Sequence, residues 1–132
     1  MPARPPLKRR IDRIVIHTAA AASRGRPVDQ EPGTLKAWWL KLGWTRVGYH
    51  RYIRFDGRVY ELSDLERQTN GVEGMNAHSA HVCFSGHGDF AAPTEAQWKS
   101  SVGVVCDIAL RSGLAPTILV NPMWVLGHRE CY

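Results

Sequence analysis

The chain has 132 residues, of which 44% are hydrophobic and 22% charged. That suits one globular domain with a single core and is too short for two. No apolar run approaches the roughly 20 residues that a membrane-spanning helix needs, which excludes an integral membrane helix. A formal net charge of +5 favours anionic partners, and nucleic acid, acidic lipid and bacterial wall polymers all qualify on charge alone.

The chain opens with Pro2, Pro5 and Pro6 followed by Lys8, Arg9 and Arg10, and no apolar stretch follows that could serve as a secretory signal. Residues 1–10 read as a flexible basic arm and 11–132 as the folded domain. Synthesis in the cytoplasm is expected, with any export by another route. Cys83, Cys106 and Cys131 are odd in number and lack close spacing, which argues against a disulfide framework. Cys106 falls in a helical pattern and is expected in the core.

Ile11 to His17 is rich in β-branched residues and predicts a buried strand ending at His17. Ala19 to Gly33 reads as a loop. Thr34 then caps a helix over Leu35 to Leu42, stopped by Gly43, with Trp38, Trp39 and Leu42 as its apolar face. Val47 to Phe55 and Arg58 to Leu62 flank Asp56-Gly57, the strongest hairpin signal in the sequence. Ser63 to Ala80 reads as a loop before a short strand at Val82 to Phe84. Thr94 and Gln97 form a capping box, and Trp98, Val102, Val105, Ala109 and Leu110 recur at helical spacing until Ser112-Gly113. Apolar residues at 118–120 and 123–126 then lead to Gly127-His128-Arg129-Glu130. This order predicts an α/β single domain, a central mixed β-sheet flanked by helices.

His17 and His128 each follow a strand-like run, so neighbouring strand ends could bring two imidazoles together. Imidazole nitrogen suits Zn²⁺, and a catalytic zinc site has three protein ligands and one open position. His50 alternates with Tyr49 and is expected to be packed or exposed, not a ligand. His78, His81 and His87, with Asp89, are irregularly spaced and read as exposed loop residues. Tryptophans at helical spacing read as core, whereas Trp44, in a turn before the hairpin, could stack on a sugar.

Four segments together resemble the type 2 N-acetylmuramoyl-L-alanine amidases, the family of phage amidase-type lysozymes and peptidoglycan recognition proteins. They are Ile14-Val-Ile-His17, Gly43-Trp-Thr-Arg-Val-Gly-Tyr49-His50 running into the hairpin, Gly74-Met-Asn76 with Val82-Cys-Phe-Ser-Gly86, and Val125-Leu-Gly-His128-Arg-Glu130. They span nearly the whole chain in the family's order. The resemblance implies zinc on His17 and His128, Tyr49 beside the metal's water and the scissile carbonyl, and substrate contacts from Asn76 and Trp44. It further implies hydrolysis of the amide between the lactyl group of N-acetylmuramic acid and L-alanine, with peptidoglycan as the partner and action on the cell wall after release. A monomer is expected.

The family's third ligand, a cysteine or aspartate, lies several residues beyond Gly-His-Arg, often with a lysine close before it. The sequence at hand stops at Tyr132, so it reads as part of a longer amidase lacking its C-terminal portion. Cys131 is the alternative ligand, at His-x-x-Cys spacing. Thr18-Ala19 stands where the family often has His or Cys followed by Ser or Thr, and Gly71 near a position often held by histidine. A non-catalytic peptidoglycan-binding domain is the competing expectation. Specific nucleic-acid binding is not expected, because a basic arm without a reading motif supplies charge only.

Overall fold

The computed structural model describes residues 5–114 and 125–127. In chain order these form β1 (Arg13–Thr18), β2 (Ala22–Ser23), β3 (Arg26–Pro27), α1 (Pro32–Lys41), β4 (Arg51–Ile53), β5 (Val59–Glu61), β6 (Ser79–Phe84), α2 (Glu95–Ser112) and β7 (Val125–Gly127). Five strands make one mixed sheet in the order β5-β4-β6-β1-β7, and β2 with β3 forms a small separate ribbon. β1 runs parallel to both β6 and β7, β4 runs parallel to β6, and β5 is antiparallel to β4. The α/β single-domain expectation holds.

The register sorts the central strands into two faces. Ile14 pairs with Ala80, Ile16 with Val82 and Ile53 with Phe84. With Ile108 and Ala109 of α2, Ile14, Ile53, Ala80, Val82 and Phe84 form one buried apolar cluster, against which Ile16 packs. The alternate residues include His17, Tyr52, His81 and Cys83, and the second cluster joins Tyr52 and Cys83 to Leu35 and Trp39 of α1. Period-two alternation therefore gives a dry face under α2 and a histidine-bearing face beside α1.

The hairpin between β4 and β5 forms where Asp56-Gly57 predicts it, with Gly57 at a φ of 86° that glycine adopts without steric cost. Its strands are shorter than the sequence suggests, and Val47 to His50 lead into β4 as irregular chain. β6 is longer than expected. It begins at Ser79, and all six of its residues are buried.

Both helices differ from their sequence readings in the face they bury. α1 starts at Pro32, not after Thr34, because proline at the first position has its φ already set and needs no partner for a missing N–H. Its buried residues are Leu35 and Trp39, whereas Trp38 and Leu42 are exposed. In α2 the Thr94–Gln97 capping box is present and Gly113 closes the helix at a left-handed φ of 73°. The face turned inward carries Gln97, Ser101, Ile108 and Ala109. Trp98, Val102 and Leu110 are exposed, and so is Cys106, expected in the core. The Gln97 amide decides this orientation. Its Nε2 donates to the carbonyls of Ile53 and Ser85, both at 3.0 Å, which ties α2 to β4 and to the end of β6.

The start of the described chain lies along the body. The Lys8 and Arg9 N–H groups donate to the Glu66 carboxylate, and the Arg9 guanidinium donates to the carbonyls of Leu65, Asn76, Ala77 and Ser79. Leu7 adds its side chain to the dry cluster.

Candidate functional site

The site begins where β1 and β7 end. Their parallel register runs Ile14 with Val125, Val15 with Leu126 and Ile16 with Gly127. The next residue in sequence is a histidine on both sides, His17 in β1 and, beyond the described residues, His128. Open parallel sheets place their chemistry at the carboxyl ends of strands, and His17 lies toward that end of β1.

His17 is 3% exposed. Its ring lies against Tyr49, with centroids 4.9 Å apart, and Tyr49 in turn meets Trp39 edge-on at 5.5 Å. Burial pushes the Tyr49 phenol well above its ordinary range, with the Cys83 thiol beside it as a further cause. Burial likewise raises the Cys83 thiol. A phenol is a donor across the neutral range in any case, and the shift extends that state to higher pH.

The structure brings a second histidine to His17 that the sequence reading placed on an exposed loop. His81 is fully buried on β6, and its Nδ1 lies 2.9 Å from His17 Nε2. Its Nε2 lies 2.9 Å from Asn76 Oδ1. The expectation of three exposed histidines therefore fails at His81, although His78 is exposed and His87 is half-buried. Starting the strand at Val82 hid this residue. Two positions earlier, alternation puts His81 on the same face as Cys83.

His50 is packed, as expected. Its Nε2 donates to the Arg67 carbonyl at 2.7 Å, and its Nδ1 accepts the His81 backbone N–H at 3.0 Å. Burial lowers its pKa to about 4, so the ring is neutral. The His50 and His81 rings are nearly parallel, 7° apart in plane, with centroids separated by 6.0 Å.

Of the remaining sequence candidates, Asn76 stands beside this group, its side-chain oxygen engaged by the Val72 N–H and by His81. Trp44 is half-buried against the Leu35–Trp39–Tyr52 cluster on which Tyr49 also packs, and it lines a hollow with Lys36, Trp39 and Arg46. His128 and Cys131 lie outside the described residues. No group of three His, Cys, Asp or Glu side chains able to hold a metal occurs among the described residues.

This mixed sheet is a known fold. LysC, an N-acetylmuramoyl-L-alanine amidase from Clostridium intestinale, superposes with a TM-score of 0.78 at 19% identity, over all of this chain and 80% of that one. Drosophila peptidoglycan recognition protein SD gives 0.74 at 20% identity, over 97% of this chain and 78% of that one. In sequence, the endolysin of Klebsiella phage KP32 is 32% identical over 85 residues, 64% of this chain and 54% of the relative. The chain spans about half the length of the curated relatives it matches. The N-acetylmuramoyl-L-alanine amidase family model matches residues 7–132. The chain belongs to this family.

Proposed function

We propose that this chain carries the catalytic site of a zinc-dependent peptidoglycan amidase of endolysin type, which hydrolyses the amide between the lactyl group of N-acetylmuramic acid and L-alanine. The observation that carries the reading is the β1–β7 register, which ends with Ile16 beside Gly127, each followed in sequence by a histidine. The Tyr49 ring packed on His17 supports it.

His17 and His128 would hold the zinc, and the third ligand would be the family's cysteine or aspartate beyond Tyr132 or, as the alternative, Cys131; two imidazoles with a thiolate or carboxylate are a donor set that suits this ion. The buried strand-end position of His17 fits that role, because a ligand ring must be held still by its surroundings. When bound, zinc supplies a Lewis acid that polarises the amide carbonyl and lowers the pKa of water enough for attack near neutral pH. Tyr49, protonated near neutral pH like any phenol, donates to the carbonyl oxygen as negative charge develops on it. Asn76 and Trp44 contribute substrate contacts, the latter by stacking on a sugar face. The protein works as a monomer on peptidoglycan, made in the cytoplasm and reaching the wall after release.

The test is zinc analysis with chelator competition, run beside release of L-alanine amino termini from purified cell walls. One zinc per chain is expected in the parent, lost in His17→Ala and, where Cys131 is the third ligand, in Cys131→Ala. Tyr49→Phe should keep its zinc and lose a factor on the order of 10²–10³ in rate, as for one oxyanion donor. A parent that binds no zinc and releases no amino termini overturns the enzymatic reading. Sedimentation with walls in that case would favour a recognition domain, the alternative that the shared fold with peptidoglycan recognition protein SD motivates.

A further inference from the structure

We propose that His81 is a positioning residue for His17. In this proposal an Asn76–His81–His17 hydrogen-bond chain fixes the His17 imidazole with its proton on Nε2 and its lone pair on Nδ1, the nitrogen offered to a cation. The part that concerns a cation rests on the reading of His17 as a zinc ligand.

The proton assignment follows from one obligatory donor. The Val72 backbone N–H meets the Asn76 side chain at 2.8 Å. An N–H can only donate, so the Asn76 atom there is the amide oxygen. That same oxygen lies 2.9 Å from His81 Nε2, so Nε2 must carry the His81 proton. We take the His81 imidazole as neutral in this proposal; it then has one N–H, and its Nδ1 is an acceptor. His81 Nδ1 faces His17 Nε2 at 2.9 Å, so His17 donates from Nε2 and its lone pair stands on Nδ1.

The surroundings hold His81 in this role. A Cβ built on Gly71 would fall 2.2 Å from His81 Nδ1 and 2.3 Å from its Cγ. The imidazole therefore occupies room that only a glycine leaves at position 71. Behind it, the His81 N–H is anchored on His50 Nδ1, and His50 is anchored on the Arg67 carbonyl. Outer partners that fix the tautomer and ring orientation of a metal-binding histidine commonly account for a factor of about 10–100 in metal affinity.

The experiment combines two readouts on the full 132-residue chain. Long-range ¹H–¹⁵N correlation spectra of the metal-free protein report the His17 tautomer, and chelator competition reports zinc affinity. The Nε2–H tautomer is expected in the parent. His81→Leu should erase that preference and weaken zinc by about 10–100-fold, while His81→Asn, which keeps an acceptor at the position of Nδ1, should recover most of both. Asn76→Ala removes the lock without touching either imidazole and should loosen the tautomer in the same direction, which keeps the test decisive if His81→Leu does not fold. An Nδ1–H tautomer in the parent, or an unchanged tautomer in both His81→Leu and Asn76→Ala, overturns the proposal. A parent that binds no zinc yet shows the Nε2–H tautomer, lost in the variants, would sink the zinc reading and leave the positioning role standing.

Discussion

The two faces of the central sheet are built from alternate residues of the same three strands, with His50 just ahead of β4 added to one of them, and solve opposite problems. On one, Ile14, Ile53, Ala80, Val82 and Phe84 close against Ile108 and Ala109 of α2 without a polar side chain in the cluster. On the other, His17, His50 and His81 are buried within hydrogen-bonding reach of one another or of backbone groups. The dry face derives stability from removing apolar surface from water, a non-directional effect that tolerates exchange of similar residues. The histidine face is stable only while its buried nitrogens keep their partners, because a buried polar group without one costs about 1–3 kcal/mol. Substitutions should therefore act through volume on one face and through proton placement on the other.

The largest effect is expected on the dry face. Phe84 is 2% exposed, packs within its cluster and meets Trp98 edge-on with centroids 5.2 Å apart. Phe84→Ala should cost about 3–5 kcal/mol in denaturant unfolding, the range for emptying a buried aromatic site. A loss under about 1 kcal/mol would mean that this face is not the main source of stability.

The histidine face should show itself through pH. His50 has its pKa pulled from 6.5 to about 4, first by burial, so the folded chain refuses a proton that the unfolded chain accepts between those values. Stability from this group is complete above about 6.5 and falls as the pH drops toward 4, by up to about 3 kcal/mol. His50→Gln cannot titrate and can still donate to the Arg67 carbonyl, so its stability should vary less with pH across that window. An identical slope in parent and variant would show that His50 is not the group responsible.

The difference between the faces also explains what could be read in the sequence. β1, the Asp56-Gly57 hairpin and the Thr94 capping box are local signals carried by neighbouring residues, and each has its counterpart in the structure. The faces of the helices were not legible. Trp98, Val102 and Leu110 recur at helical spacing yet lie outside, because Gln97 turns inward to satisfy two carbonyls brought by other strands. His81 was missed for a related reason. Nothing near it in sequence announces that Gly71, ten residues earlier, leaves the space for its ring. His17 stood out from its strand-end position and Tyr49 only through the family resemblance, and the structure sets their rings together.

A smaller effect is expected at that glycine. Gly71→Ala places a Cβ inside the His81 ring's contact distance, so the imidazole or the loop must shift. Overpacking of this kind costs about 1–3 kcal/mol. Because the displaced ring is the one that faces His17, the loss of stability in thermal or denaturant unfolding should be accompanied by a change in the His17 ring signals. A stable variant with unaltered His17 signals would show that the loop yields instead of the ring, and that the space at position 71 is not what sets the His81 position.

The smallest effect separates the faces most cleanly. Thr94 caps α2 by accepting the Gln97 N–H at 3.1 Å, and its hydroxyl donates to the Phe55 carbonyl at 2.7 Å, joining the helix start to the hairpin. Thr94→Ala should cost about 1 kcal/mol, with Thr94→Ser restoring most of it because the hydroxyl is retained. Since α2 covers only the dry face, the His17 ring signals and zinc affinity of Thr94→Ala should match the parent's. A change at His17 would mean that the two faces are coupled through the short strands between them, so that the cap at one end of α2 helps to set the proton chain on the opposite side of the sheet.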